Sequence, residues 1–355
     1  MSIAIDARMI EMSGIGTYIQ NLIISDIYDV AIGDEKLIHK YNPRIKVISF
    51  DAKIYSLKEQ LFFPFKKLKK YNVSLIHFPH YNAPIFCKIP FVSTIHDLTH
   101  LIFPNFMKNK LARIYSKILI KHSVKKSRNI ITVSENSKKD IIDFFKVDKD
   151  KITVTYNAID SDFHYSNSDL SYLFEKYKID SQKFIYLYVG NLKEHKNLSR
   201  LLKAYSQTKY LDKTVLILAG KAFESLDLKS YESKLNISSN VIHTGLISKG
   251  ELVDLYNLAN VFVFPSLYEG FGIPPIEAMA CNTPVISSNT SSLPEILGDA
   301  ALYFDPYSIE QITNALNNIY ENEKLRLDLV QKGRNQIKRY DWRKTVEQTR
   351  KILNQ

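Results

Sequence analysis

The chain has 355 residues, of which 45% are hydrophobic and 24% charged, and its formal net charge is +11. This length suits two domains of ordinary size, and two cysteines without metal-ligand spacing exclude a disulfide framework and favour a cytoplasmic protein. The first residues do not form a secretion signal, and no apolar run approaches the roughly 18 to 20 residues that a membrane span needs.

Short apolar, β-branched runs alternate with helical patterns, which is typical of a doubly wound α/β chain with parallel sheets. In the first half the predicted strands are Ile3–Ala7, Ile45–Phe50, Ser74–Phe78, Phe91–Ile95, Asn129–Val133 and Ile152–Thr155. In the second half they are Phe184–Val189, Thr214–Ala219, Val241–Thr244, Val261–Phe264, Pro284–Ser287 and Ala301–Phe304. The polar segment Asp160–Ser171 is the predicted linker. We therefore predict one domain over residues 1–165 and a second over residues 166–339.

The positive charge lies mainly in the first half, where residues 1–165 carry 25 Lys and Arg against 16 Asp and Glu, a balance of +9. The segment from Lys108 to Arg128 contains cations and no acid, interleaved with apolar residues at helical spacing. A second basic segment, Leu57–Tyr71, combines lysines with Leu61 and three phenylalanines. Both segments are candidates for contact with an anionic partner.

Two interpretations of these segments are open. A basic amphipathic helix can lie on an anionic membrane surface, where each cation contributes on the order of 1 kcal/mol, and Lys117, Lys121, Lys125 and Lys126 would then form a membrane and acceptor surface. The same stripe is typical of a surface helix whose lysines are simply solvated. No recognisable nucleic-acid-binding module accompanies the pI of about 9.2, so nucleic acid is not a predicted partner.

A glycine-rich turn is the strongest functional signal. The run Glu269–Glu277, EGFGIPPIE, places two carboxylates around a pair of glycines and a pair of prolines, directly after the apolar run Val261–Phe264. Ligands of open α/β sheets bind outside the carboxyl ends of the strands. Gly270 and Gly272 let a ligand approach the backbone, and the prolines suit the first turn of a helix, which we expect to continue over Ile276–Cys281.

This turn suits a polyhydroxylated ligand that carries phosphate. Free amides and the positive end of the helix dipole favour a diphosphate, while the two carboxylates can accept hydrogen bonds from sugar hydroxyls. In a structural alternative the turn only shapes the fold, and Glu277 stands where the dipole stabilises an acid. A glycosidase, with Glu269 and Glu277 as its carboxylate pair, is disfavoured because a turn and a helix start separate the two.

The run EGFGIPPIEAMA resembles the E-x7-E signature of the retaining glycosyltransferases of family 4. The resemblance covers most of the chain in the expected order, through Gly14–Thr17, Ile95–Asp97, Val189–Asn197 and Pro284–Pro306. It implies the GT-B fold, in which two Rossmann-like doubly wound parallel-sheet domains enclose an interdomain cleft and the last helix, about residues 340–355, crosses back to the first domain. It also implies sugar transfer from a nucleoside-diphosphate sugar with retention at the anomeric carbon.

The resemblance implies a role for each site residue. His96 matches the histidine that faces the donor sugar, Lys196 the lysine that holds the diphosphate, and Glu269 the carboxylate that contacts the sugar hydroxyls; these are the predicted catalytic residues. Glu277 matches the carboxylate that binds the ribose. The other predicted donor-binding residues are Gly14, Gly16, Asn191, His195, Gly245, Leu246, Ile247, Gly270, Phe271 and Gly272.

The sequence departs from the family pattern at the phosphate clamp, where many relatives carry arginine and this chain has Asn191 or His195. His195 would be a second cation only when protonated, so a catalytically silent nucleotide-sugar-binding subunit is a second hypothesis. Asp160 and Asp162 have the D-x-D spacing of a metal-binding pair, but they lie in the predicted linker. We therefore expect no essential metal ion and no other cofactor.

The similarity is highest to bacterial mannosyl- and rhamnosyl-type transferases that extend lipid-linked polysaccharides such as O-antigen. It implies GDP-mannose as the donor and a lipid-linked oligosaccharide as the acceptor, with the protein in the cytoplasm and peripheral at the inner face of the cell membrane. A UDP-hexose or UDP-N-acetylhexosamine donor is an open alternative.

Overall fold

The computed structural model describes residues 2–103, 110–220, 223 and 225–355. The chain divides into two compact units, residues 1–158 with 341–355, and residues 159–340. The sequence prediction put the first division at residue 165. The segment 159–165 is tied to the second unit, because the Asn257 side-chain amide donates to the His164 carbonyl over 3.1 Å and the Lys249 ammonium pairs with Asp160 and Asp162.

The first unit contains a parallel sheet of seven strands in the order β3-β2-β1-β4-β5-β6-β7. The strands are β1 (Ser2–Asp6), β2 (Val30–Gly33), β3 (Lys46–Ser49), β4 (Val73–Phe78), β5 (Phe91–Thr94), β6 (Ile130–Thr132) and β7 (Ile152–Val154). The helices are α1 (Ser13–Ile24), α2 (Glu35–His39), α3 (Leu57–Phe62), α4 (Phe65–Lys70), α5 (Thr99–Ile102), α6 (Lys110–Lys126) and α7 (Glu135–Phe145).

The second unit contains a parallel sheet of six strands in the order β10-β9-β8-β11-β12-β13. The strands are β8 (Phe184–Val189), β9 (Thr214–Ala219), β10 (Val241–His243), β11 (Val261–Phe264), β12 (Val285–Ser288) and β13 (Ala301–Phe304). Its helices are α8 (Ser171–Tyr177), α9 (Leu198–Tyr205), α10 (Leu226–Lys234), α11 (Lys249–Leu258), α12 (Ile273–Ala280), α13 (Leu293–Leu297), α14 (Ile309–Glu321) and α15 (Glu323–Gln336), and α16 (Trp342–Leu353) belongs to the first unit.

The predicted fold class of two doubly wound parallel-sheet domains is confirmed. The strands are continuous apolar runs because helices cover both faces of each sheet, and all six residues of β9 are buried. All twelve predicted strands exist with small differences at their ends. The prediction missed β2, whose four residues, Val-Ala-Ile-Gly, include an alanine and a glycine, two residues that are depleted in strands.

Each sheet has one place where the strand order reverses, between β1 and β4 in the first unit and between β8 and β11 in the second. Ligands of open α/β sheets bind in the crevice outside the carboxyl ends of the strands at such a reversal. Two of the predicted catalytic residues, Lys196 and Glu269, follow β8 and β11. None of the helices described is both long and apolar enough to cross a bilayer.

Candidate active site

The strand reversal of the second sheet brings Lys196 and Glu269 together. Lys196 ends a short 3₁₀ turn in the loop after β8, and Glu269 lies in the loop after β11. The Lys196 Nζ donates to Glu269 Oε1 over 2.6 Å, and the two side chains are 15% and 13% exposed. A cation and a carboxylate predicted to bind different parts of one donor are thus direct neighbours.

Asn197 fixes the loop that carries Lys196. Its backbone is left-handed, with φ of 58°, and its side-chain amide donates to the carbonyls of Pro265 over 3.0 Å and Pro306 over 2.8 Å. The loop after β8 is therefore braced against the loops after β11 and β13. Sequence reasoning missed Asn197; its signal is an asparagine, which tolerates left-handed backbone, between a 3₁₀ turn and a helix.

Two serines after β12 hold the loop that carries Glu269. Ser291 Oγ accepts from the Glu269 amide over 2.9 Å, and Ser292 Oγ donates to the Glu269 carbonyl over 2.9 Å. Gly272 completes the loop with a φ of +93°, and a Cβ there would stand 2.7 Å from Leu293 Cδ2. Gly272 is therefore required by backbone conformation and packing, whatever a ligand adds.

Helix α12 begins at Ile273, three residues before the predicted continuation at Ile276, with Gly272 as its N-cap. Its next two residues, Pro274 and Pro275, have no amide hydrogen. Of the amides that a helix start leaves free, only those of Gly272 and Ile273 remain. The prediction of free amides for a diphosphate therefore applies to fewer groups than the motif suggested.

Glu277 lies in the second turn of α12, so the alternative that assigns it to a dipole-stabilised first turn is wrong. Tyr256 Oη of α11 donates to Glu277 Oε2 over 3.0 Å. Burial raises the pKa of Glu277 from 4.5 to about 7, although the Tyr256 hydrogen bond opposes this shift and nearby Asp160 adds to it. The carboxyl group therefore changes its charge close to neutral pH.

The loop after β10 contains three of the predicted donor-binding residues, Gly245, Leu246 and Ile247. Gly245 has a φ of +68° and forms an antiparallel bridge with Gly220, while Leu246 is 79% exposed and Ile247 is partly exposed. Three strand spacings, roughly 14 Å, separate β10 from β11 in the sheet. The structure thus places Leu246 and Glu269 at the same edge of the sheet, in positions suited to an elongated ligand.

Neither residue of the predicted phosphate clamp is an exposed cation. The Asn191 side-chain oxygen accepts from the Lys193 amide over 3.1 Å, so it shapes its own loop. His195 is buried, with 7% exposed, and its carbonyl accepts from the Leu267 amide over 2.7 Å. Lys196 is therefore the better placed phosphate-binding cation in this loop.

In the first unit, His96 follows β5 and is partly buried. Its Nε2 lies 3.0 Å from the Pro79 carbonyl, to which it donates, and its ring meets the Tyr18 ring edge-on at 5.2 Å. Burial lowers the pKa of His96 from 6.5, opposed by the Pro79 carbonyl and the Asp97 carboxylate. The imidazole is therefore neutral near pH 7, with the proton on Nε2 and a lone pair on Nδ1 that can accept a hydrogen bond from a hydroxyl.

Gly14 and Gly16, two of the predicted donor-binding residues, lie in the first turn of α1. A Cβ on Gly16 would stand 2.6 Å from the Ile10 carbonyl oxygen, so this glycine permits close packing of the helix start on the preceding turn. Gly14 is exposed. The same helix carries Tyr18, which contacts His96, so the glycine turn and the histidine belong to one local structure.

The basic helix α6 buries one face and exposes its lysines. Its buried residues are Ser116, Leu119, Ile120, Ser123 and Val124. The four predicted surface lysines, Lys117, Lys121, Lys125 and Lys126, are all exposed. Lys108 lies outside the described residues. Three apolar side chains of the same helix, Leu111, Ile114 and Ile118, are exposed as well.

No group of three or more metal-binding side chains occurs within the parts of the chain that the structure describes. Asp160 and Asp162, the residues with metal-pair spacing, share the Lys249 ammonium as their partner. Their carboxylates thus neutralise a cation at the start of α11.

Two family models match the chain. The model for glycosyl transferases group 1 matches residues 172–336, and the model for glycosyltransferase family 4 matches residues 23–163. Among curated proteins, the chain is 31% identical over 288 residues to O-antigen chain mannosyltransferase B of Escherichia coli, which covers 79% of this chain and 74% of the relative. It is 32% identical over 273 residues to the O-antigen chain mannosyltransferase RfbU of Salmonella typhimurium, covering 76% of this chain and 70% of the relative.

Solved structures share the fold. HepE of Anabaena, in complex with UDP and glucose, has a TM-score of 0.81 at 18% identity, covering 100% of this chain and 99% of that one. WaaG, a glycosyltransferase involved in lipopolysaccharide biosynthesis, has a TM-score of 0.75 at 17% identity, with 99% of each chain covered. At this identity the likeness supports the two-domain GT-B architecture alone.

Proposed function

The chain belongs to glycosyltransferase family 4, and on this premise we propose that it transfers mannose from GDP-mannose to a hydroxyl of a lipid-linked oligosaccharide. The O-antigen chain mannosyltransferases at about 30% identity support mannose as the transferred sugar and a polysaccharide chain as the product. The proposal includes retention of the anomeric configuration and no requirement for a metal ion.

The observation that carries the proposal is the contact between Lys196 and Glu269. A lysine beside a carboxylate, both partly accessible at the strand reversal, provides the two groups that a sugar diphosphate needs in neighbouring positions. The ammonium binds the diphosphate oxygens and the carboxylate accepts from sugar hydroxyls. The exposed Leu246 and the carboxyl of Glu277 extend the arrangement toward the base and the ribose.

In the reaction, the bond between the anomeric carbon and the diphosphate breaks, and the acceptor hydroxyl attacks from the face that the diphosphate leaves. The acceptor proton moves to the departing phosphate oxygen. Lys196 offsets the negative charge that grows on the diphosphate, while Glu269 orients the sugar. His96, in its neutral form, accepts a hydrogen bond from a sugar hydroxyl through Nδ1.

A UDP-sugar donor is the second candidate. The structural neighbour HepE was solved with UDP and glucose, so the shared fold can accommodate a donor of this class. The base would pack against Leu246 and Ile247 in either case, since an exposed apolar side chain can contact any base.

Acceptor binding at the inner face of the membrane is part of the proposal. Lys117, Lys121, Lys125 and Lys126 are exposed on one helix beside an apolar stripe, which suits an anionic lipid surface. The protein would then be cytoplasmic and peripheral, meeting its acceptor where the lipid carrier holds it.

The test combines a thermal-shift panel with product release. A ligand that binds only the folded chain raises the melting temperature according to its affinity and concentration, so sugars linked to GDP, UDP, ADP and dTDP can be ranked. GDP-mannose should give the largest shift and should release GDP when acceptor extract is added. A larger shift with a UDP-sugar would identify that UDP-sugar as the donor in place of GDP-mannose. Binding of a nucleotide sugar without release of the nucleoside diphosphate would indicate a catalytically silent subunit.

A further inference from the structure

Helix α3 is inverted relative to an ordinary surface helix. Its polar residues Glu59 and Gln60 are buried, at 0% and 7% exposed, whereas Leu57, Leu61 and Phe62 are 73%, 65% and 68% exposed. A surface helix normally turns its apolar face to the core. The exposed apolar face of α3 is therefore available to an apolar partner.

The inversion is held in place by a buried charge network. Arg8 donates from one guanidinium nitrogen to Glu59 Oε1 over 2.6 Å and to Asp6 Oδ2 over 2.6 Å, and Asn82 donates to the same Glu59 oxygen over 2.6 Å. The Tyr55 amide donates to the other Glu59 oxygen over 2.7 Å. If α3 turned its leucines inward, the buried Arg8 would keep Asp6 but lose the Glu59 carboxylate as an ion-pair partner. A buried cation without enough paired charge is costly, so the apolar face of α3 stays exposed.

A cavity of about 460 Å³ separates α3 from α6. Its walls are largely apolar and aromatic and include Tyr55, Leu57, Tyr81, Leu111, Ala112 and Tyr115. Leu57 and Leu111 are 73% and 75% exposed although they line it, so they stand at its mouth.

From that mouth two apolar stripes run over the surface, one on each helix. Leu57 and Leu61 are four residues apart on α3, and Leu111, Ile114 and Ile118 follow helical spacing on α6. The cavity and both stripes therefore form one continuous apolar feature, part recessed and part exposed.

The charge around this feature selects an anionic partner. Helix α6 contains no acid from Lys110 to Lys126, and its lysines are exposed around the apolar stripe. A second copy of the chain would bring the same positive charge to the contact and would be repelled. An apolar face with lysines beside it on the same helix suits the boundary between the headgroups and the acyl chains of an anionic bilayer.

We propose that the cavity between α3 and α6 receives one acyl chain of an anionic phospholipid while the leucines at its mouth, with Phe62, enter the bilayer. This goes beyond electrostatic attachment through the lysines, since it assigns a recessed site for a single lipid chain. It does not depend on which sugar is transferred.

The test is photolabelling in vesicles of phosphatidylcholine and phosphatidylglycerol that contain a trace of phosphatidylglycerol with a diazirine in its acyl chain. Crosslinked peptides are mapped by mass spectrometry. In the wild type we expect labels on peptides of α3 and α6. Labels found mainly elsewhere on the chain would overturn the proposal.

Two substitutions distinguish binding of an acyl chain in the cavity from attachment to the vesicle through the surface lysines. Ala112→Phe fills the cavity and should reduce labelling of α3 and α6 about tenfold while sedimentation with the vesicles persists through the lysines. Leu111→Asp, at the exposed mouth of the cavity, should reduce labelling of α3 and α6 to a similar extent without adding volume to the protein core. Equal labelling of a folded variant and the wild type would contradict the inference.

Leu226→Asp is the matched control, since Leu226 is 84% exposed on α10 of the second unit and should leave labelling unchanged. Lys196→Ala should label like the wild type, which separates this inference from the proposed function. A competition experiment distinguishes the two kinds of lipid. If an excess of prenyl phosphate abolishes labelling and the same amount of unlabelled phospholipid does not, the cavity binds a lipid carrier, and the assignment to a phospholipid acyl chain is overturned.

Discussion

The Lys196 ammonium and the Glu269 carboxylate neutralise each other across 2.6 Å in the second unit. If the chain binds a nucleoside-diphosphate sugar as proposed, the diphosphate competes with Glu269 for the ammonium, and the two residues are coupled in donor binding. Without the lysine, Glu269 would repel the diphosphate instead of completing its site.

Lys196→Ala should lower turnover at least about a hundredfold, the scale of losing one charge-stabilising donor. Adding Glu269→Gln to this variant should restore part of the affinity for the nucleoside diphosphate, measured by calorimetry, because the repulsion is removed. Lys193→Ala, an exposed lysine of the same loop, is the control and should behave like the wild type. Additive effects of the two substitutions on affinity would refute the coupling.

His96→Ala should lower the turnover number by about a hundredfold or more, within the range expected for a positioned polar group at a reacting sugar. Because burial lowers the pKa of His96 from its ordinary value of 6.5, the imidazole is neutral at pH 6.5 and above. Protonation of His96 should therefore lower the turnover number only at a lower pH. His39→Ala, a partly exposed histidine of the same unit, should change neither rate nor profile. A His96→Ala enzyme with wild-type turnover would remove His96 from the site.

Glu277 should make both stability and donor binding depend on pH. Its pKa rises from 4.5 to about 7 on folding, so the folded chain holds more protons in this interval and the free energy of unfolding falls as pH rises through it. Ribose hydroxyls donate to the ionised form, so donor binding should release a proton and tighten toward pH 7.

Calorimetry in buffers of different ionisation enthalpy measures that proton release, and thermal melting against pH measures the stability change. Glu277→Gln should abolish both dependences and raise the melting temperature relative to the wild type above pH 7. Donor binding at pH 6.5 without proton release would show that the ribose does not contact this carboxyl.

Gly16→Ala should lower the free energy of unfolding by about 1 to 3 kcal/mol, because its Cβ would meet the Ile10 carbonyl oxygen at 2.6 Å. Gly14→Ala, at an exposed helical position, should stay within about 0.5 kcal/mol of the wild type in denaturant unfolding. If Gly14 also lies beside the donor, its alanine variant should weaken donor binding at unchanged stability. A Gly16→Ala protein of wild-type stability would show that the helix start relaxes easily.

Replacing Lys117, Lys121, Lys125 and Lys126 with glutamine should weaken sedimentation with anionic vesicles and leave the kinetics with a water-soluble acceptor unchanged. Each lysine near the lipid contributes on the order of 1 kcal/mol, so the loss should be large and should diminish in high salt. Exposed lysines of the second unit, Lys203 and Lys234, provide a control of matched chemistry. Equal vesicle binding by variant and parent would refute the lysine surface.

Sequence predicted the sheets well because buried parallel strands are continuous apolar runs, and β8, β9, β11 and β13 have the predicted bounds. It also placed Lys196 and Glu269 after strands, and the strand order that makes them neighbours follows from the doubly wound topology. It placed Pro274 and Pro275 in the first turn of α12, as the structure has them, but did not indicate that Ile273 begins the helix.

The supporting residues were not predictable from sequence. The site loops are held by side-chain hydrogen bonds of Asn197, Ser291 and Ser292 to backbone carbonyls and amides that are distant in sequence. A local sequence pattern does not indicate such contacts. The raised pKa of Glu277 depends on its burial beside Tyr256 of another helix. The inversion of α3 depends on a partner, Arg8, that is distant in sequence and close only after folding.

The most direct measurement is a crystal structure of the protein with GDP-mannose or an unreactive analogue. We expect diphosphate oxygens within hydrogen-bonding distance of Lys196 Nζ, a sugar hydroxyl in contact with Glu269 and the ribose in contact with Glu277. A nucleotide sugar bound at another place in the second unit, or one that leaves the Lys196–Glu269 pair intact, would contradict it.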